Sequence, residues 1–187
     1  MEILEDLVAA YRILATQGVI DAYGHVSMRS PDNPQRYFIA RSLAPEKVQL
    51  EDLLEYDLDS RPLNDNGRES VRERFIHGEI YKTRADVMSV VHNHSPSVVP
   101  FSVTGVPMCA LFHMASFIGD GLPIYEIRDF RKGTDLLVKD AFLGNSLAKV
   151  LGAKPAALMR GHGATVVGEN IMRAVGRSVH LELSAKM

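Results

Sequence analysis

The chain has 187 residues, a formal net charge of -2, and 46% hydrophobic against 24% charged residues. That balance belongs to an ordinary globular domain and excludes a chain that stays disordered. With 21 basic residues set against 23 acidic ones there is no basic excess to hold nucleic acid, and no apolar run approaches the roughly 20 residues that cross a bilayer.

Leu4, Leu7, Val8, Tyr11 and Leu14 recur at helical spacing, with Gly18 as the stop. The acids at this end differ from the basic start of a signal peptide. Residues 21–40 read as two short strands about the turn Ser30-Pro31-Asp32-Asn33-Pro34. A loop follows from Arg41 to Glu46, then a short helix from Lys47 or Leu50. Leu58 to Asn66 is expected as a strand that ends at the Asn66-Gly67 turn. Val71, Phe75 and Ile80 predict a second helix from about Glu69 to Thr83, and the apolar run Asp86 to His92 predicts a buried strand. Ser95-Pro96 opens a short helix. Leu122 to Ile127 reads as another strand, and Thr134 caps a longer helix to about Leu151, broken or bent near Gly144. Residues 156–159 and 165–167 form an antiparallel hairpin about Gly161-His162-Gly163, and Asn170 caps a last helix that is unfinished at Met187. Residues 1–187 therefore read as one α/β domain, a mixed sheet with flanking helices, with C-terminal residues expected to be lacking. The one cysteine, Cys109, has no partner within the chain, so a cytoplasmic setting is expected.

The chemistry centres on histidine. His92 and His94 stand at i and i+2 at the end of the buried strand, and such residues point to one face. Taken alone, they fit hydrogen-bonded strand-end residues as well as they fit metal ligands. His162, flanked by glycines that permit a sharp turn, is the third candidate. Three neutral imidazoles would hold a divalent ion and leave a coordination position open. A carboxylate from the second helix could then serve as acid or base, although the pattern does not rank Glu69, Glu73 and Glu79.

The run from Glu73 through RFIHGEIYKTRADVMSVVHNH, together with the later RGHGATVVG, resembles the class II aldolase/adducin family over nearly the whole chain. Its members cleave or rearrange carbon–carbon bonds through a metal-held enolate. The resemblance implies a single-domain α/β/α sandwich around a mainly antiparallel sheet. It also implies one divalent ion per subunit (Zn2+, Mn2+ or Co2+) on His92, His94 and His162, and Glu73 as the catalytic acid/base. A homotetramer with active sites between subunits is implied as well. His113 falls near the position of a catalytic Tyr in the aldolases.

The pattern departs from the sugar-phosphate aldolases where they bind phosphate. Gly24-His25-Val26-Ser27 carries His in place of Asn, Ala40-Arg41-Ser42-Leu43 lacks Thr-Gly, and Val71-Arg72 replaces a Ser-Ser pair. His25, Ser27, Arg41 and Arg72 are thus candidate substrate-binding residues, the arginines as a flat grip on a carboxylate. For these two a plain surface role reads equally well. The turn and the downstream GDGLPIYEIRDF segment resemble the decarboxylases of hydroxylated aromatic or pyridine carboxylates. The expected function is a divalent-metal-dependent decarboxylase of a hydroxylated aromatic or heteroaromatic carboxylic acid. An aldolase for a small hydroxy-carbonyl compound is the alternative, followed by a non-catalytic adducin-like interaction module and a metal-dependent dehydratase.

Overall fold

The computed structural model describes residues 2–187, with the side chain of Glu2 left aside. Five helices, α1 (Glu2–Thr16), α2 (Arg74–Thr83), α3 (Val99–Thr104), α4 (Ala141–Leu151) and α5 (Ile171–Lys186), surround seven strands. These are β1 (His25–Arg29), β2 (Arg36–Ala40), β3 (Leu53–Asp57), β4 (Ser89–Asn93), β5 (Ile124–Tyr125), β6 (Ala156–Met159) and β7 (Gly163–Gly168). The strands form one sheet in the order β3-β2-β1-β4-β7-β6-β5, and every pairing is antiparallel except β5 with β6. The expected mainly antiparallel sandwich is the fold of the chain.

The layers follow from strand parity. In β4 and β7 consecutive apolar residues face opposite sides, so both faces are covered and the strands are apolar throughout rather than alternating. Val91 and Val166 pack with Leu7, Tyr11 and Leu14 of α1 and Leu181 of α5. Val90 and Val167 pack on the other side with Ile76 and Ile80 of α2 and Leu143 and Leu147 of α4. His92, two residues beyond Val90, must therefore face α2. β1 lies beside β4 with His25 opposite His92 and Ser27 opposite Val90, which puts His25 and Ser27 on the same α2-facing side. Among the described residues no helix is long and apolar enough to cross a membrane.

Several boundaries differ from expectation, each for a local reason. The strand expected at 58–66 lies earlier, at β3, where burial alternates along Leu53–Asp57. Residues 58–60 turn instead, with Ser60 at φ 61°. α2 begins at Arg74 rather than near Glu69, because the Glu69 carbonyl is taken by the backbone N–H of Ser42 in a neighbouring loop; Glu73 becomes the N-cap residue. The helix expected from Thr134 begins only at Ala141, where the Asp140 side chain accepts from the Leu143 N–H. Upstream, Leu136 sits at φ 69°, a conformation that a helix does not contain. α4 runs unbroken through Gly144, whose missing Cβ would run into the Phe75 carbonyl oxygen. That glycine is there for close helix packing. The segment 122–127 yields only the two-residue β5 and then a 3-10 turn at Ile127–Asp129. The short helix expected from Lys47 or Leu50 is two 3-10 turns, Pro45–Lys47 and Leu50–Asp52. The helix expected at Ser95-Pro96 begins at Val99.

Candidate active site

Four side chains from distant parts of the chain converge at the end of β4. His92 and His94 come from that strand and the residue after it, His162 from the turn between β6 and β7, and Glu73 from the start of α2. The Nε2 atoms of His92 and His94 are 3.2 Å apart, and those of His94 and His162 are 3.1 Å apart. Glu73 Oε2 lies 3.4 Å from His92 Nε2 and 3.5 Å from His162 Nε2.

Partners behind the rings fix which nitrogen carries the proton. His94 Nδ1 lies 3.0 Å from Asp21 Oδ1, and His162 Nδ1 lies 3.0 Å from the Leu136 carbonyl oxygen. A carboxylate and a carbonyl only accept, so both Nδ1 atoms donate and both Nε2 atoms turn lone pairs inward. Two lone pairs 3.1 Å apart repel unless a proton or a metal ion lies between them. Ligands held about 2.0–2.1 Å from a tetrahedral zinc ion stand ~3.3 Å from one another, close to the His92–His94 and His94–His162 separations. The donor set thus fits a divalent transition metal on the three imidazoles, with the Glu73 carboxylate beside it.

The loop ahead of α4 serves both ends of the cluster. The Leu136 carbonyl holds His162, and the Val138 N–H donates to Glu73 Oε1 at 2.8 Å. The left-handed Leu136 is backbone strain spent on aiming the His162 ring. Burial disfavours a charged Glu73, but His92 and His162 outweigh it and hold the carboxyl well below its usual range. Burial likewise works against a charged His162, and there Glu73 wins and raises it. In His92 burial prevails over Glu73 and the imidazole is shifted down. Asp21 is lowered: the Tyr23 N–H and His94 outweigh its partial burial.

The cluster opens into a cavity of about 490 Å3, whose wall includes His25, Arg41, Glu69, Arg72, Glu73 and His94. That volume suits a small ligand. Arg41 Nε is bonded to Asp52 Oδ1 at 2.7 Å. Arg72 is exposed and, among the described residues, pairs with no carboxylate. Ser27 does not line the cavity. It is fully buried, with its hydroxyl 2.6 Å from His77 Nδ1 and 2.7 Å from Tyr81 OH. His113 is exposed on the 3-10 turn His113–Ile118 and is not part of the cavity wall.

Three contributors escaped the sequence reading. Asp21 and the Leu136 carbonyl orient His94 and His162, and His77 reaches His25 Nδ1 at 2.7 Å. For His77 a signal existed. Glu73, His77 and Tyr81 recur every four residues, a polar stripe on the side of α2 that also buries Ile76 and Ile80.

The family profile described as Class II Aldolase and Adducin N-terminal domain matches residues 5–187. Decarboxylase tropJ of Talaromyces stipitatus is 37% identical over 193 residues, covering 96% of this chain and 73% of the relative. The 3,4-dihydroxyphthalate decarboxylase of Arthrobacter keyseri is 26% identical over 97% of this chain and 75% of its own length. Among solved structures, L-fuculose 1-phosphate aldolase from Glaciozyma antarctica superimposes with a TM-score of 0.80 at 26% identity, over 98% of this chain and 70% of that one. The aldolase II superfamily protein from Pseudomonas syringae reaches a TM-score of 0.85 at 22% identity, over 99% and 73% respectively, and shares the fold. The chain belongs to the class II aldolase and adducin family, in the branch that includes decarboxylases.

Proposed function

We propose that this protein is a divalent-metal-dependent decarboxylase of a hydroxylated aromatic or heteroaromatic carboxylic acid. The observation that carries the reading is the pair of inward lone pairs on His94 and His162 beside Glu73, where His94 and Glu73 line a cavity with two arginines on its wall. The likeness to tropJ and to 3,4-dihydroxyphthalate decarboxylases supports decarboxylation over other lyase chemistry.

His92, His94 and His162 would hold one Zn2+, Mn2+ or Co2+ ion per subunit. Bound there, such an ion supplies Lewis acidity to substrate oxygens. Arg72, with the free part of Arg41, grips the substrate carboxylate. Glu73 is ionised, so it accepts the proton of the substrate hydroxyl. As CO2 departs, the carbon–carbon electron pair passes into the ring, and the proton held at Glu73 goes to the ring carbon. The negative charge stays on the ring oxygen. The same reading gives His113, between exposed Leu111 and Met114, to the site of a neighbouring subunit in a homotetramer, and gives the enzyme a cytoplasmic setting.

The test is a panel of ortho-hydroxy aromatic acids incubated with zinc-, manganese- or cobalt-loaded protein, with CO2 release followed. Release from at least one acid is expected. No release across the panel, combined with new carbon–carbon bonds from pyruvate or glycolaldehyde donors, would replace the reading with an aldolase. The fuculose-phosphate aldolase likeness favours that alternative.

A further inference from the structure

Behind the cavity wall lies a buried polar chain that the proposed reaction does not use. His25 Nδ1 is 2.7 Å from His77 Nε2, His77 Nδ1 is 2.6 Å from Ser27 Oγ, and Ser27 Oγ is 2.7 Å from Tyr81 OH. His77 and Ser27 are fully buried, and Tyr81 and His25 nearly so. His25 alone reaches the cavity, and its Nε2 has no protein partner among the described residues.

Each link can run in only two directions, and the far end decides between them. Suppose His25 Nδ1 donated to His77. Then His77 would donate to Ser27 and Ser27 to Tyr81, leaving the buried Tyr81 hydroxyl proton with no acceptor among the described residues. Run the other way, Tyr81 donates to Ser27, Ser27 to His77 Nδ1, and His77 Nε2–H to His25 Nδ1. Every proton then has an acceptor, and the last one sits on His25 Nε2, facing the cavity.

We propose that the Tyr81–Ser27–His77 chain fixes His25 in the tautomer that carries its proton on Nε2, so that His25 is a neutral N–H donor to the anion bound in the cavity. The donor role rests on the decarboxylase reading, whereas the tautomer does not. Ser27, His77 and Tyr81 are positioning residues, and His25 is the group that touches the ligand. Burial, reinforced by neighbouring imidazoles, keeps His25 uncharged, and burial does the same for His77. A neutral donor orients a carboxylate or phenolate without adding a second cation beside the metal ligands. His25 stands across the strand pair from His92, with ring centroids 5.0 Å apart, which makes that economy useful.

Long-range 1H–15N correlation spectra of the full, histidine-labelled chain read the tautomer directly, with His25 assigned by loss of its signals in His25→Asn. Both His25 and His77 are expected with the proton on Nε2. A wild-type spectrum showing His25 protonated on Nδ1 overturns the proposal whatever any variant does. Ser27→Ala removes the donor to His77 Nδ1 and is expected to convert His25 into a mixture of tautomers. If the folded variant keeps a pure Nε2–H form, the chain does not set the tautomer. Adding 2,3-dihydroxybenzoate to zinc-loaded wild type is expected to move the His25 Nε2–H resonance. An unmoved resonance in a protein that still releases CO2 from the panel overturns the contact and leaves the decarboxylase reading standing. A correct tautomer with no CO2 release does the opposite.

Discussion

Gly163 passes Asn93 so closely that a Cβ on it would lie 1.9 Å from the Asn93 carbonyl oxygen. The contact joins the first residue of β7 to the last of β4, between His162 on one side and His94 on the other. The ligand spacing therefore depends on a missing methyl group. Gly163→Ala is expected to push the strands apart and to cost at least about 1–3 kcal/mol, the usual penalty of overpacking, because the obstacle is backbone that cannot rotate away. Urea denaturation and metal content together check this. A variant as stable as wild type with full metal loading would show that the strands yield without consequence.

What the sequence disclosed was whatever depends on local pattern. Asn170 accepts the Arg173 N–H as the cap of α5, Gly18 ends the turn after α1 at φ 67°, and β6 and β7 pair as the expected hairpin. Strand parity was enough to bring His92 and His94 toward one point. The parts that stayed hidden depend on atoms with no signature in the chain. The Leu136 carbonyl holds His162 from 26 residues away. Its role required abandoning the very helix that Thr134 suggested. Asp21 meets His94 across 73 residues, and any loop Asp has the same local pattern. Glu73 could not be ranked above Glu69 and Glu79 by spacing, because what singles it out is its place beside His92 and His162 and the Val138 N–H. Glu79 is tied up with Lys82 instead.

His94→Ala removes the ligand that stands within 3.2 Å of both other imidazoles. Elemental analysis after dialysis against zinc is expected to show loss of bound metal, and turnover should fall with it. The same loss is expected for His162→Ala, while His113→Ala should retain full metal because its ring lies outside the cavity wall. Stoichiometric zinc in His94→Ala would refute the ligand assignment.

Glu73→Gln keeps the shape and the Val138 hydrogen bond but cannot exchange a proton. If Glu73 is the acid/base group, turnover should drop by roughly 10²–10⁴-fold. Metal content should stay near that of wild type, since three imidazoles remain. Single-turnover CO2 release measures this; an unimpaired variant would move the proton transfer to another group.

Arg72 is exposed at the cavity rim with no acidic partner among the described residues, so its guanidinium is free to meet an incoming carboxylate. A hydrogen bond to a charged group contributes about 1.5–3 kcal/mol. Arg72→Met is therefore expected to raise KM roughly 10–100-fold with a small change in kcat, the signature of lost uniform binding. Steady-state kinetics on an acid from the panel decides, and an unchanged KM would reduce Arg72 to a surface residue.

His77 makes the metal-free fold sensitive to mild acid. Burial, and then the neighbouring His92, lower its imidazole from 6.5 to about 3 in spite of Glu73. The unfolded chain takes up that proton near 6.5, so below this pH it binds more protons than the folded one. Stability is then fully present above pH 6.5 and falls as pH drops toward 3, by ~1.4 kcal/mol per pH unit for one group. His25 is depressed by burial and adds to the same slope. His162 does not oppose it: its raised value means it is protonated in both states below 6.5 and contributes no slope there. Between pH 6.5 and 5 the carboxylates stay ionised in both states, so the histidines dominate. Urea unfolding of the metal-free protein across that interval should show wild type losing stability steadily, and His77→Gln losing it less steeply by about the one-group slope. Equal slopes in the two proteins would mean that the folded chain protonates His77 as readily as water does.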